Sequence, residues 1–372
     1  MSKKVLFIAT VLRGHILVFH LPYMKWFQEQ GYEVHLCCRN DTEEASPVIP
    51  WCDRFIELPF ERQPLNKANI QVAKALKQLI DQEGYDLIHC NTPVGGLLGR
   101  WCARQARKHG TKVVYTAHGF HFYKGAPMKN WLLYYPAEWL CARWTDLLIT
   151  INQEDAARAA RMPAASTALV HGVGVDLSRF EHPKDRSLVR QQLGLAEDAP
   201  VVITVGEHSW RKNHETMLRA MTTVPKAHLL FCGVGSWEKS LRNLAEELGV
   251  AERCHFLGFR KDIPDLLAAS DVFLFTSYQE GLPVALMEAM AAGLPCVASH
   301  VRGNADLLLE SKNGHLHAPE DAAGFADDLR ALLQDAQLRR TLGDQNRQIM
   351  QKYRLEAVVA EVSSLYQKLL GI

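Results

Sequence analysis

Short apolar runs alternate with helical stretches along this chain, and the alternation stops and starts again at a glycine-rich break. The first series has runs at Val5–Ala9, Glu33–Cys37, Asp86–His89, Lys112–Thr116 and Asp146–Thr150, with helical sequence up to Gln30 and at 67–82, 96–109 and 129–142. Runs of this kind, rich in Val, Leu, Ile and Phe on both faces, suit strands covered by helices on either side. They predict an α/β, doubly wound, Rossmann-like parallel sheet. The break His171-Gly172-Val173-Gly174-Val175-Asp176 lacks apolar periodicity and reads as a connection between domains. A second series follows, with strands at 200–205, 227–232, 253–257, 271–275 and 295–298. A length of 372 residues suits two such domains. The expected division is 1–171 and 172–354, with a last helix at about 355–372. That helix places Leu355, Val358, Val362, Leu365 and Leu369 on one stripe.

The stretch from Ser277 to Met290 carries the strongest local chemistry. An apolar strand at 271–275 leads into a polar turn, and a helix begins near Pro283, where a missing N–H costs nothing. The amide N–H groups of Val284, Ala285 and Leu286 are then free at the helix start, a ready anion site. Glu280 in the turn and Glu288 in the helix bracket it, and carboxylates accept hydrogen bonds from sugar hydroxyls. An ordinary strand–helix unit with a charged turn has the same pattern. The turn after 201–205 reads Gly206-Glu207-His208-Ser209-Trp210-Arg211-Lys212, and a cationic pair there suits a diphosphate. In the first series the Thr10–His15 turn offers Arg13, Gly14 and His15 at the carboxyl edge of the sheet, where ligands bind in such folds. His118 directly follows the 112–116 strand, before Gly119; it is a candidate for the same edge, chosen over His121, or a structural histidine.

The residues Glu280, Gly281, Leu282, Pro283, Glu288, Ala289, Met290, Gly293 and Pro295 together resemble the E-x7-E segment of retaining GT-B glycosyltransferases of family 4. The 172–180 connection resembles that family's G-V-D-x-x-x-F linker. The resemblance implies an interdomain cleft, a terminal helix that crosses back to the first domain, and transfer of a sugar with retention. It implies that Glu280 contacts the donor sugar, Glu288 the ribose hydroxyls, His118 the sugar or β-phosphate, and the main chain near Phe259 and Arg260 the nucleobase. Gly281, Leu282, Pro283 and Val284 complete the expected donor contacts, and Lys212 carries the leaving charge. The family has arginine where this chain has Glu207, so Arg211 is the nearest replacement, and Glu207 is expected to pair with Arg211 or Lys212 or to accept a donor hydroxyl. The 116–136 stretch resembles the bacterial subgroup that extends polyprenyl-diphosphate-linked sugars in capsule, exopolysaccharide or protein-glycan assembly. The donor so implied is a UDP-sugar and the acceptor a polyprenyl-linked saccharide.

Charge and composition narrow the classes. The formal net charge of +1 argues against a dedicated nucleic-acid binder. Residues 1–175 carry 20 Lys+Arg against 15 Asp+Glu, a balance of +5, which suits an anionic surface. The segment 123–146 interleaves Trp131, Tyr134, Tyr135 and Trp139 with Lys124, Lys129 and Arg143. It reads as a face for a membrane interface or as a helix packed in a core. Arg100, Arg104, Arg107 and Lys108 recur at helical spacing and predict a cationic stripe. The nine cysteines show no C-x-x-C and no metal-like spacing with histidine, which suits reduced thiols in the cytosol. The first apolar run ends by Arg13, too soon for a signal peptide, and no run reaches membrane-spanning length. No D-x-D follows a strand, so no metal and no other cofactor is expected. The expected location is the cytoplasmic face of the inner membrane. A UDP-sugar epimerase, a phosphorylase and a non-catalytic nucleotide-sugar-binding protein are the competing readings.

Overall fold

The computed structural model describes residues 3–309 and 312–372. It contains two compact units. The first runs to Val173 and takes back Val358–Ile372; the second is Gly174–Ala357. The divisions thus fall at 173/174 and 357/358, against the expected 171/172 and 354/355.

Unit 1 is built on seven strands: β1 (Lys3–Val11), β2 (Tyr32–Arg39), β3 (Arg54–Glu57), β4 (Leu87–Asn91), β5 (Lys112–Ala117), β6 (Leu147–Thr150) and β7 (Thr167–Leu169). All neighbours pair in parallel in the order β3-β2-β1-β4-β5-β6-β7. Residues Val5 to Ala9 of β1 are fully buried, as a central strand covered on both faces requires. The helix Pro93–Ala103 lies close on this sheet because Gly96 faces Tyr115. A Cβ at Gly96 would stand 2.4 Å from the Tyr115 ring. The helix Leu355–Leu370 belongs to this unit, burying Val358, Val362 and Tyr366. Burial of each such apolar side chain contributes about 1.5–3 kcal/mol. The Tyr366 hydroxyl lies 3.0 Å from His89 Nδ1 on β4.

Unit 2 has six strands: β8 (Val201–Val205), β9 (His228–Cys232), β10 (Cys254–Phe256), β11 (Val272–Phe275), β12 (Cys296–Ser299) and β13 (Gly314–His317). They pair in parallel in the order β10-β9-β8-β11-β12-β13. The expected strands are all present. Three others lack a sequence signal for a common reason. β3 (Arg-Phe-Ile-Glu), β7 (three residues) and β13 (Gly-His-Leu-His) are outer strands, too polar or too short to show the buried-strand pattern.

The cationic stripe does not form. The expected helix 96–109 ends at Ala103, and a separate tight turn covers Ala106–His109. Arg100 points inward, fully buried, with Nε on the Gly96 carbonyl (2.8 Å), Nη2 on Glu138 (2.7 Å) and its guanidinium 3.8 Å from the Tyr115 ring centroid. Its spacing matches a surface face, but a guanidinium can stack and pair at once, which lets it serve as a core residue. Arg104 stacks on Trp101, and Arg107 pairs with Asp146. The nine cysteines are free thiols, most of them buried.

Candidate active site

In each sheet the strand order reverses between two central strands, and ligands of such folds bind at the carboxyl ends there. In unit 2 the reversal lies between β8 and β11. The turn after β8 brings up Lys212, and the turn after β11 brings up Glu280. Lys212 Nζ is 2.8 Å from Glu280 Oε1, and Arg211 Nη1 is 3.0 Å from the same oxygen. Arg211 also donates to the Gln279 carbonyl, and Arg302 Nε donates to the Glu280 carbonyl at 3.0 Å. The Lys212 ammonium lies 4.4 Å from the Phe275 ring centroid. Lys212 and Glu280 are both buried, Arg211 only partly. Burial lowers the pKa of Lys212, and the carboxylate of Glu280 opposes that shift. A buried ion pair is weak evidence for stability, because desolvation offsets its attraction, and strongly perturbed groups cluster at functional sites.

Glycines let the surrounding turns approach. At Gly233, after β9, a Cβ would stand 1.9 Å from the Gly206 carbonyl oxygen, and at Gly303 (φ +76°) it would stand 2.3 Å from that of Gly281. Helix Val284–Ala291 starts after Pro283, where the sequence places it. Gly281 and Leu282 form the turn ahead of it, and Val284 is its first residue. Glu288 pairs with Arg179 Nη1 at 2.8 Å, and burial raises its pKa against the pull of that arginine. Phe259 is exposed beside Arg260, whose guanidinium is engaged by Asp262 at 2.8 and 2.5 Å. Glu207 is exposed and makes no ion pair with a described residue. The expected pairing with Arg211 or Lys212 is therefore corrected: both cations turn to Glu280, which shares their buried side of the turn. Arg302, which the sequence leaves open between the acceptor and solvent, is held on the Glu280 carbonyl, while Arg179 and the stacked pair Trp210–Tyr278 (4.8 Å) carry no role in the sequence reading, since nothing in their spacing marks them.

In unit 1 the reversal lies between β1 and β4. After β1 the chain makes a wide helical turn, Leu12–Ile16, closed by the Leu17 N–H on the Leu12 carbonyl. The backbone N–H groups of Arg13 and Gly14 donate to the Asp41 carboxylate at 2.6 and 3.4 Å. A cavity of about 320 Å³ opens here, lined by Thr10, Gly14, His15, Arg62, Thr92, His121 and Tyr134 among others. The rings of His121 and Tyr134 stack at 4.4 Å. His118 stands just past the end of β5, its ring centroid 4.7 Å from His15 and 5.5 Å from His20. His15 Nε2 and His20 Nε2 are 3.0 Å apart. Burial holds the pKa of His118 at about 4 and those of His15 and His20 well below the ordinary 6.5. Arg62, Asp41 and His20 are additions to the expected set; they lie outside the turn signals that point to Arg13, Gly14 and His15.

Two doubly wound parallel sheets, each with polar turns at its switch point, define a two-unit α/β protein of Rossmann-like architecture. Residues 23–179 match the family model described as Glycosyltransferase Family 4, and residues 185–349 match Glycosyl transferases group 1. The chain is 41% identical to EpsD of Bacillus subtilis (strain 168), over 98% of this chain and 97% of that protein. It is 28% identical to the Escherichia coli UDP-Gal:alpha-D-GlcNAc-diphosphoundecaprenol alpha-1,3-galactosyltransferase, over 91% and 89% of the two chains. The Anabaena HepE structure in complex with UDP and glucose superposes with a TM-score of 0.82 at 22% identity, covering 99% of this chain and 100% of that one. The protein belongs to glycosyltransferase family 4 and has the GT-B fold.

Proposed function

We propose that this glycosyltransferase moves a hexose or N-acetylhexosamine from a UDP-sugar to a hydroxyl of a polyprenyl-diphosphate-linked saccharide, with retention at the anomeric carbon. The observation that carries the reading is the pair of cations, Arg211 and Lys212, held on Glu280 at the switch point of unit 2. A donor diphosphate entering there competes with Glu280 for both cations. They neutralise the charge that grows on the leaving UDP, a preorganised stabilisation that acts mainly in the transition state. Glu280, relieved of its partners, accepts hydrogen bonds from the donor sugar. The anomeric carbon–oxygen bond to UDP breaks, the acceptor oxygen bonds to the same face, and its proton passes to a donor phosphate oxygen. This route needs no protein nucleophile and no metal. Glu288, with its raised pKa, faces the ribose hydroxyls.

The acceptor reading rests on the 28% identical galactosyltransferase, whose acceptor is diphosphoundecaprenol-linked, and on unit 1. The cavity beside His15 has one cationic wall, Arg62, and a stacked aromatic wall, features that suit a diphosphate and a sugar ring. The helix Met128–Ala142 explains the two faces of its sequence. Trp131, Tyr134, Tyr135 and Trp139 pack toward the core, while Met128, Leu132, Pro136 and Leu140 recur every four residues on the exposed side. Leu132 is 72% exposed. With Lys124, Lys129 and Arg143 exposed around it, this face docks on an anionic bilayer. Among the described residues no helix is long and apolar enough to cross a membrane.

The test offers a panel of UDP-sugars with a polyprenyl-diphosphate-linked monosaccharide, following UDP release, product mass and anomeric configuration. One donor giving a product heavier by one sugar supports the reading. Conversion of the UDP-sugar without acceptor would make the protein an epimerase, and binding without UDP release would make it a carrier. Sedimentation with anionic vesicles at low and high salt tests the docking face. Absence of binding at low salt, where surface charge reaches beyond the roughly 8 Å of physiological screening, would leave that face as ordinary surface.

A further inference from the structure

Among the described residues, one group of three histidine, cysteine or carboxylate side chains brings its ligating atoms together: His15, His20 and His118. We propose that these three imidazoles bind one transition-metal cation of the zinc class. The donor site proposed above lies in unit 2, and the metal site borders only the unit 1 cavity beside His15, so failure of the metal site leaves the donor reading intact.

One nitrogen from each ring lies within 4.8 Å of the others, and the His15–His20 pair is already at 3.0 Å. Zinc–nitrogen bonds of 2.0–2.1 Å in a tetrahedral site place neighbouring nitrogens about 3.3 Å apart, so small ring movements complete the set. Hydrogen bonding satisfies only part of the cluster. His20 Nδ1 and His118 Nε2 are buried without a hydrogen-bond partner among the described residues. A buried imidazole nitrogen left unpaired costs on the order of 1–3 kcal/mol, and a cation held by His118 Nε2 recovers that cost.

The neighbouring histidine is excluded as a ligand. His89 spends both nitrogens, Nε2 on the Thr116 hydroxyl at 2.9 Å and Nδ1 on the Tyr366 hydroxyl at 3.0 Å. A small gap of about 10 Å³ lies beside His20, His89 and His118, room for one water. Three neutral nitrogen donors and no carboxylate or thiolate favour zinc, cobalt or nickel over magnesium or calcium. His15 also lines the 320 Å³ cavity, so the coordination position left by three protein ligands opens toward an oxygen ligand there.

The experiment uses the full chain with any affinity tag removed, stripped with a chelator and titrated with Co²⁺ under visible absorption, then with Zn²⁺ in competition. One equivalent of cobalt with the ligand-field bands of a four-coordinate site, displaced by zinc, is expected. Zinc in excess raises the melting temperature, as any ligand of the native state does. His15→Ala and His20→Ala each weaken zinc affinity at least tenfold, while His109→Ala, on an exposed turn, leaves it unchanged. A folded parent that takes up no cobalt overturns the proposal without any variant and assigns the gap to water. Unchanged affinity in a folded His15→Ala or His20→Ala variant overturns it as well, placing the metal elsewhere.

Discussion

The two switch points share a scaffold and differ in how they hold polar groups. In unit 2 the turns after β8 and β11 meet through charge, with Lys212 and Arg211 on a single carboxylate oxygen. In unit 1 the turns after β1 and β5 meet through uncharged rings, with His118 packed edge to face on His15 and His20. An ion pair in a buried turn is costly to desolvate and ready to exchange partners, so it suits a ligand that brings its own charge. Neutral imidazoles tolerate burial and keep lone pairs available, so they suit a ligand that brings a cation or a hydroxyl. One fold thus presents two chemistries, and the difference lies in a few turn residues.

The comparison breaks most visibly at Lys212. Lys212→Ala removes a preorganised donor to the leaving group, a loss of about 2.7–4 kcal/mol in transition-state stabilisation, or 10²–10³-fold in kcat. Turnover within a few-fold of the parent would remove charge exchange from the account. Arg211→Ala, half-exposed, loses less.

Glu280→Ala follows closely, with a correction. From sequence alone this change is expected to leave the fold intact. The structure puts Glu280 opposite a buried ammonium, and a buried cation left unpaired costs about 3 kcal/mol. Denaturant unfolding therefore shows a loss of stability beside weaker donor use. An unchanged midpoint would mean that water takes over the partnership with Lys212.

In unit 1, His118→Ala lowers kcat about tenfold, some 1.4 kcal/mol, with a smaller change in melting temperature. The reverse pattern would make the histidine cluster a packing feature.

Glu288 gives a pH signature. Its folded-state pKa is raised from the ordinary 4.5, chiefly by burial, so near that pH the native state holds a proton that the unfolded chain releases. Stability is therefore lost as pH rises from about 4.5 through the raised value, and is level above it. Glu288→Gln, with nothing to titrate at this position, lacks the loss. Unfolding midpoints of variant and parent, measured across that window, diverge in the variant's favour as pH rises. Parallel curves would place Glu288 in a solvated setting.

The smallest effect belongs to Glu207→Arg. With both cations hydrogen-bonded to Glu280, the exposed Glu207 acts on Lys212 only as the weakest of its charge influences, so the change alters stability by less than about 0.5 kcal/mol. Donor affinity holds or improves. A loss of activity would show that the exposed carboxylate meets the donor.

Every central strand is legible in the sequence, because a run such as Val5–Ala9 is buried on both faces and its composition says so. Of the outer strands, Cys254–Phe256 is legible but Arg54–Glu57, Thr167–Leu169 and Gly314–His317 are not, being too polar or too short to show the pattern. Glu280 and Lys212 are legible as candidates from their turns. Their direct pairing is not, because 68 residues separate them and only the strand order brings β8 beside β11. Arg100 misleads for the opposite reason: helical spacing names a face but not which way it points. His20 carries no signal, lying in a helical stretch behind a turn already marked by His15.

The return of Val358–Ile372 to the first unit has a consequence for biosynthesis. On the ribosome, residues 174–357 emerge after the first sheet and before the helix that covers it. Until that helix arrives, His89 lacks the Tyr366 hydroxyl, and the faces of Phe27 and Tyr23 that Tyr366 covers stay open to solvent. The unit begun first is therefore finished last, and a chain that ends before residue 358 leaves the first unit uncovered.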